Sequence, residues 1–124
     1  METMTLGRTG ITVNRNGFGA LPVQRVEKQE AARLLRRAYE GGIRWFDAAR
    51  AYGDSEEKLG LAFAGLARES YYISTKTAAV TVEGFQKDLA ASLAALKTDY
   101  IDVYQFHNPA FCPKPGDGTG LYEA

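Results

Sequence analysis

The sequence predicts a parallel α/β fold assembled from repeated βα units. Three observations carry that expectation. Short β-rich runs alternate with longer stretches whose apolar residues recur at helical spacing. The β-rich runs end at Gly19, Asp47, Lys76 and His107, so that successive ends lie 28, 29 and 31 residues apart. One strand, one helix and their loops fill an interval of about 30 residues, and repeating that unit makes a parallel sheet with right-handed crossovers.

The elements follow in order. Thr5 to Val13 holds two short extended pieces around Arg8-Thr9-Gly10, where Gly10 takes the positive φ of a tight hairpin. A first core strand spans about Asn16 to Gly19. A helix from Val26 to Tyr39 places Ala31, Leu34, Leu35 and Ala38 on one face and stops at Gly41-Gly42. Ile43 to Phe46 is a short strand that includes Trp45 as a buried residue and ends at Asp47. Asp54 and Ser55 are N-cap types, and Glu56 and Glu57 suit the positive end of the helix dipole. The helix they open runs from Ser55 to Leu66, with Leu59, Ala62, Phe63 and Leu66 inward. Tyr71 to Thr75 is β-rich and ends at Lys76. Thr81 caps a third helix whose inner face is Phe85, Leu89, Leu93 and Leu96. Ile101 to Phe106 is the next strand, ending at His107. Pro109, Pro113, Pro115, Gly116, Gly118 and Gly120 then make a loop, and Leu121 to Ala124 reads as the start of another helix.

No Gly-x-Gly-x-x-Gly follows the first strand, so the repeat favours a (β/α)8 barrel of the TIM type over a dinucleotide-binding open sheet. Such a barrel needs eight units and about 250 residues. Residues 1–124 are therefore expected to be the N-terminal half, a hairpin and the first four βα units, with the C-terminal half absent. The alternative is that half-barrels complete each other between chains. A lone half exposes its inward side chains and two sheet edges, which favours self-association through those edges.

Composition narrows the function classes. The chain is 45% hydrophobic and 24% charged, with 15 basic and 15 acidic residues, so nothing points to nucleic acid or a membrane surface as partner. Arg33, Arg36 and Arg37 read as a solvated helix face. The single cysteine, Cys112, excludes an internal disulfide and a multi-cysteine metal site, and no metal is expected. Met1 to Met4 shows no leader pattern and no apolar run reaches membrane-span length, which makes the cytoplasm the default location.

Three strand ends carry an acid, a lysine and a histidine, and Tyr52 lies on the loop after Asp47. In a barrel these positions converge on one mouth. A phenol has a pKa of about 10 and donates protons poorly at neutral pH. A nearby ammonium stabilises the phenolate and makes the phenol a better acid. A carboxylate beside the ammonium orients it, and an imidazole across the site sets the angle of a substrate carbonyl.

Gly17-Phe18-Gly19, Trp45-Phe46-Asp47-Ala48-Ala49, Ala51-Tyr52-Gly53-Asp54-Ser55-Glu56, Ser74-Thr75-Lys76 and Tyr104-Gln105-Phe106-His107 together resemble the aldo-keto reductase family. The resemblance implies a (β/α)8 barrel that reduces aldehydes and ketones with NADPH or NADH. It implies Tyr52 as proton donor, Lys76 as its partner, Asp47 as the partner of Lys76, and His107 as the residue that orients the carbonyl. It places Gly19, Ala20 and Leu21, together with Asp47, near the cofactor. The variant from Gly17 to Arg25 is similar to a bacterial subgroup, some of whose relatives carry a C-terminal iron–sulfur segment. Two other readings compete. One is an inactive or regulatory half-barrel used as a binding module, as in the potassium-channel β subunits that resemble this family. The other makes Lys76 a Schiff-base lysine, as in barrel aldolases.

Overall fold

In the computed structural model, which describes residues 1–124, the chain opens with an antiparallel hairpin. Its strands are β1 (Thr3–Thr5) and β2 (Thr12–Asn14), with Met4 opposite Val13. Gly10 takes φ +76° in the connection, as the turn requires. The hairpin covers the N-terminal end of the sheet. Met4, Leu6 and Val13 line a small cleft there together with Trp45, and the Asn14 amide donates to the Gly42 carbonyl.

Four parallel strands follow in the spatial order β3-β4-β5-β6: β3 (Phe18–Gly19), β4 (Trp45–Asp47), β5 (Tyr72–Thr77) and β6 (Val103–Phe106). Crossover helices α1 (Lys28–Glu40), α2 (Ser55–Ala62) and α3 (Val82–Leu96) join them. Strand ends fall at residues 19, 47, 77 and 106, close to the sequence reading. Lys76 thus lies within β5, one residue before its end.

Side chains alternate across the strands. Phe46 and Ile73 face the helices and are almost fully buried, joining Leu35, Leu59, Phe63, Tyr71 and Leu96 in the core. The Phe46 and Phe63 rings meet edge to face at 4.6 Å. Gly60 lets α2 and α3 approach, since a β-carbon there would lie 2.4 Å from the Ala95 carbonyl oxygen.

Several boundaries differ from the sequence reading, each for a local reason. The first helix begins at Lys28, because the Glu27 carboxylate accepts from the amides of Gln29 and Glu30 and Val26 is extended. Residues Pro22–Arg25 form a separate 3-10 turn. The second helix stops at Ala62, and Gly65 at φ +80° turns the chain, so Leu66 packs from a turn. Thr81 does cap α3, accepting from the Gly84 amide. Its inner face holds Ser92 and Leu96 fully buried, whereas Phe85, Leu89 and Leu93 are half-buried. Leu121 to Ala124 is a single turn rather than a helix start. Trp45 is half-buried and Leu34 exposed. Arg36 is not simply solvated; it donates to the Ala62 carbonyl at 3.1 Å.

On the helix side of β6, Tyr104 packs against Phe85 at 5.3 Å. Its hydroxyl is buried without a hydrogen bond, and burial pushes its pKa up to about 12. The fold therefore favours the neutral phenol. Its contribution to stability is present below pH about 10 and is lost as pH rises towards 12. Tyr104→Phe keeps the ring and breaks no hydrogen bond, so urea unfolding at pH 7 should change by less than about 1 kcal/mol. The variant should also lose less stability than the parent between pH 10 and 12. A loss beyond about 1.5 kcal/mol at pH 7 would mean that the hydroxyl has a partner.

Candidate active site

The parallel register builds the site. Gly19 pairs with Asp47, and Asp47 with Ser74. Two residues further along β5, Lys76 lies on the same face as Ser74. The Lys76 Nζ donates to Asp47 Oδ2 at 2.6 Å and to the Ala48 carbonyl at 2.7 Å. The Ser74 hydroxyl donates to Asp47 Oδ1. The Lys76 side chain is 14% exposed and that of Asp47 30%, so the pair is partly shielded from water and each charge has a second partner.

The ladder continues beyond the end of β4. The Ala48 amide donates to the Ser74 carbonyl at 2.8 Å and the Arg50 amide to the Lys76 carbonyl at 3.0 Å. The chain then turns, with Tyr52 N–H to Ala49 O and Ser55 N–H to Tyr52 O, both at 3.0 Å. This turn brings the Tyr52 ring over the mouth. Lys76 Nζ lies 5.0 Å from its centroid, within the range of a cation–π attraction. His107, whose amide donates to the Thr77 carbonyl at 2.8 Å, meets the same ring edge-on at 5.4 Å. Asp47, Tyr52, Lys76 and His107 thus lie together, and the Tyr52 hydroxyl makes no hydrogen bond within the chain.

The loop after β3 borders them. The Ala20 amide donates to the Asp47 carbonyl at 2.7 Å. Gly19 opens onto free space and Leu21 is exposed, whereas the Ala20 side chain is wholly buried in the core. Behind the sheet, the first turn of α2 holds these loops. The Ser55 hydroxyl donates to the Ala20 carbonyl at 2.8 Å. Lys58, 2% exposed, donates to the Val23 carbonyl at 2.9 Å and pairs with Asp54 at 2.7 Å. Asp54 therefore spends its carboxylate on Lys58 and makes no side-chain cap bond.

The family model described as the aldo/keto reductase family matches residues 10–114. The chain belongs to the aldo-keto reductase family. It is 33% identical over 126 aligned residues to an L-galactose dehydrogenase of Arabidopsis thaliana, a match spanning 90% of this chain and 39% of that protein. It is 40% identical to an aldo-keto reductase of a Mycobacterium species, over 73% of this chain and 33% of that protein. Among solved structures, a putative aldo-keto reductase from Pseudomonas aeruginosa superposes with a TM-score of 0.77 at 30% identity. That match covers 98% of this chain and 49% of the other. The chain thus spans well under half the length of the curated relatives it matches. Its four parallel strands and their helices are part of the aldo-keto reductase barrel fold.

Sequence reasoning missed four residues that brace this candidate site: Ser74, Glu56, Lys58 and Ser92. Ser74 had a signal. It lies two residues before Lys76, so any strand that aims Lys76 inward aims Ser74 inward too. Ser92 had one as well, being four residues before Leu96 and seven after Phe85, on the apolar stripe of α3. Glu56 and Lys58 carried none, because charged residues in a first helical turn are ordinarily solvent-facing.

Proposed function

We propose that this chain supplies the acid–base machinery for NAD(P)H-dependent reduction of an aldehyde or ketone to an alcohol. The carrying observation is the convergence of the Asp47–Lys76 ion pair with the Tyr52 and His107 rings at one mouth. In this reading, residues 1–124 correspond to the hairpin and first four units of a full barrel. Gly19 and Leu21 offer open surface to NADPH or NADH, and Ala20 holds their loop in place. When bound, the reduced nicotinamide would supply the hydride to the carbonyl carbon. Tyr52 donates the proton to the carbonyl oxygen, through a hydroxyl that the chain leaves unengaged. Lys76 stabilises the resulting phenolate by its positive charge. Asp47 aims the Lys76 ammonium through their hydrogen bond, and His107 steers the carbonyl oxygen towards Tyr52. No group of three or more His, Cys, Asp and Glu residues is arranged to hold a metal ion. No helix is long and apolar enough to cross a membrane.

Tyr52→Phe in a chain competent for turnover should lower kcat for aldehyde reduction about 10²–10⁴-fold, the usual contribution of a positioned general acid. Activity within twofold of the parent would remove Tyr52 from that role.

A second reading is favoured by the sheet itself. The outer edges of β3 and β6 have no strand partner, and both strands run the same way. We propose that residues 1–124 by themselves pair through these edges. Light scattering coupled to size exclusion should then give a mass above 13.6 kDa for the chain. A concentration-independent monomer would refute edge pairing.

A further inference from the structure

Glu56 is a carboxylate with 1% of its surface exposed, and none of the steps above uses it. Three donors converge on it from three different elements. Thr75 of β5 donates its hydroxyl to Oε1 at 2.6 Å, and Ser92 of α3 donates to the same oxygen at 2.7 Å. Arg50, from the segment between Asp47 and Tyr52, donates from Nη1 to Oε2 at 2.5 Å. Arg50 also donates its backbone amide to the Lys76 carbonyl. Thr75 immediately precedes Lys76, and Arg50 lies two residues before Tyr52. The carboxylate therefore ties the backbone that carries the phenol to the backbone that carries the ammonium.

We propose that Glu56 is a positioning residue that fixes the Tyr52 segment against β5 and so sets the approach of Tyr52 to Lys76 and His107. Serving only to fill the core would not need a charge, and a buried carboxylate costs stability unless it is paired and hydrogen-bonded. Its partners are divided between the Tyr52 segment and the Lys76 strand. Ser92 adds an anchor in α3, so the tie is referred to the scaffold rather than to another loop. The effect on reduction rests on the function proposed above. The geometric claim does not.

His107 is the only histidine in the chain, so its imidazole signals are unambiguous in NMR spectra and report the neighbouring Tyr52 ring. Glu56→Gln removes the charge that holds Arg50. It should displace the His107 ring signals while leaving the circular dichroism spectrum folded. In a turnover-competent chain it should lower kcat about 10–100-fold with little change in cofactor KM. Leu35→Ala loosens the core from the α1 side with the Glu56 cluster intact; it should lower thermal stability and leave the His107 signals in place. Arg50→Gln breaks the pair from its more exposed side and should reproduce Glu56→Gln even if that variant fails to fold. Arg50→Lys, which keeps a cation, should retain most of the parent's behaviour. Unmoved His107 signals in both Glu56→Gln and Arg50→Gln would overturn the proposal, as would equal displacement by Leu35→Ala. If Tyr52→Phe leaves reduction intact, the catalytic reading falls, and the His107 signals alone still decide the role of Glu56.

Discussion

The ion pair between Asp47 and Lys76 is the interaction on which the arrangement of the mouth depends. It joins neighbouring parallel strands, and it forms because their register sets Asp47 beside Ser74 with Lys76 two residues on. A slip of one residue would send Lys76 to the helix side of the sheet and leave Asp47 unpaired. Partial burial makes that outcome costly, since the pair is only partly shared with water. The alternation that keeps Phe46 and Ile73 under the helices is thus the same alternation that aims Asp47 and Lys76 at the mouth. Packing on one face fixes chemistry on the other.

The loops inherit that order. Backbone hydrogen bonds carry the ladder past β4 as far as Arg50, and the loop after β3 joins through the Ala20 amide. The first turn of α2 then reaches both loops from behind, through Ser55, Glu56 and Lys58. Charged and polar side chains here replace the hydrophobic packing that holds the rest of the core. The reason is local: buried backbone carbonyls and a guanidinium must be matched beneath the mouth, and only polar groups can do so. Phe46, Phe63 and Leu59 lie just beyond and exclude water from that layer.

Much of this was legible in the sequence. The four strand ends could be read within a residue, because apolar runs and helical stripes alternate at a constant interval. Asp47, Tyr52, Lys76 and His107 were legible as a set because each falls at, or just after, a strand end. Boundaries were less legible where a side chain decided them. Glu27 lies in an apparent helical run and is the cap of α1, and Asp54 stands at the N-cap of α2 while its carboxylate is held by Lys58. Phe85, Leu89 and Leu93 are apolar enough for a core yet remain half-buried, with Phe85 against Tyr104 and Phe106 of β6. Glu56 and Lys58 were illegible for a general reason. A charge becomes internal only when partners distant in sequence, such as Thr75, Ser92 and Val23, are brought to it, and no local pattern records that.

If Asp47 and Lys76 act as one unit in reduction, a double-mutant cycle on kcat/KM for a simple aldehyde tests it most directly. Asp47→Asn and Lys76→Met should each impair reduction strongly, and the double variant should be little worse than Lys76→Met alone. Effects that multiply, each variant costing the same factor whether or not the other is present, would show two independent residues and contradict the pair as the centre of this site.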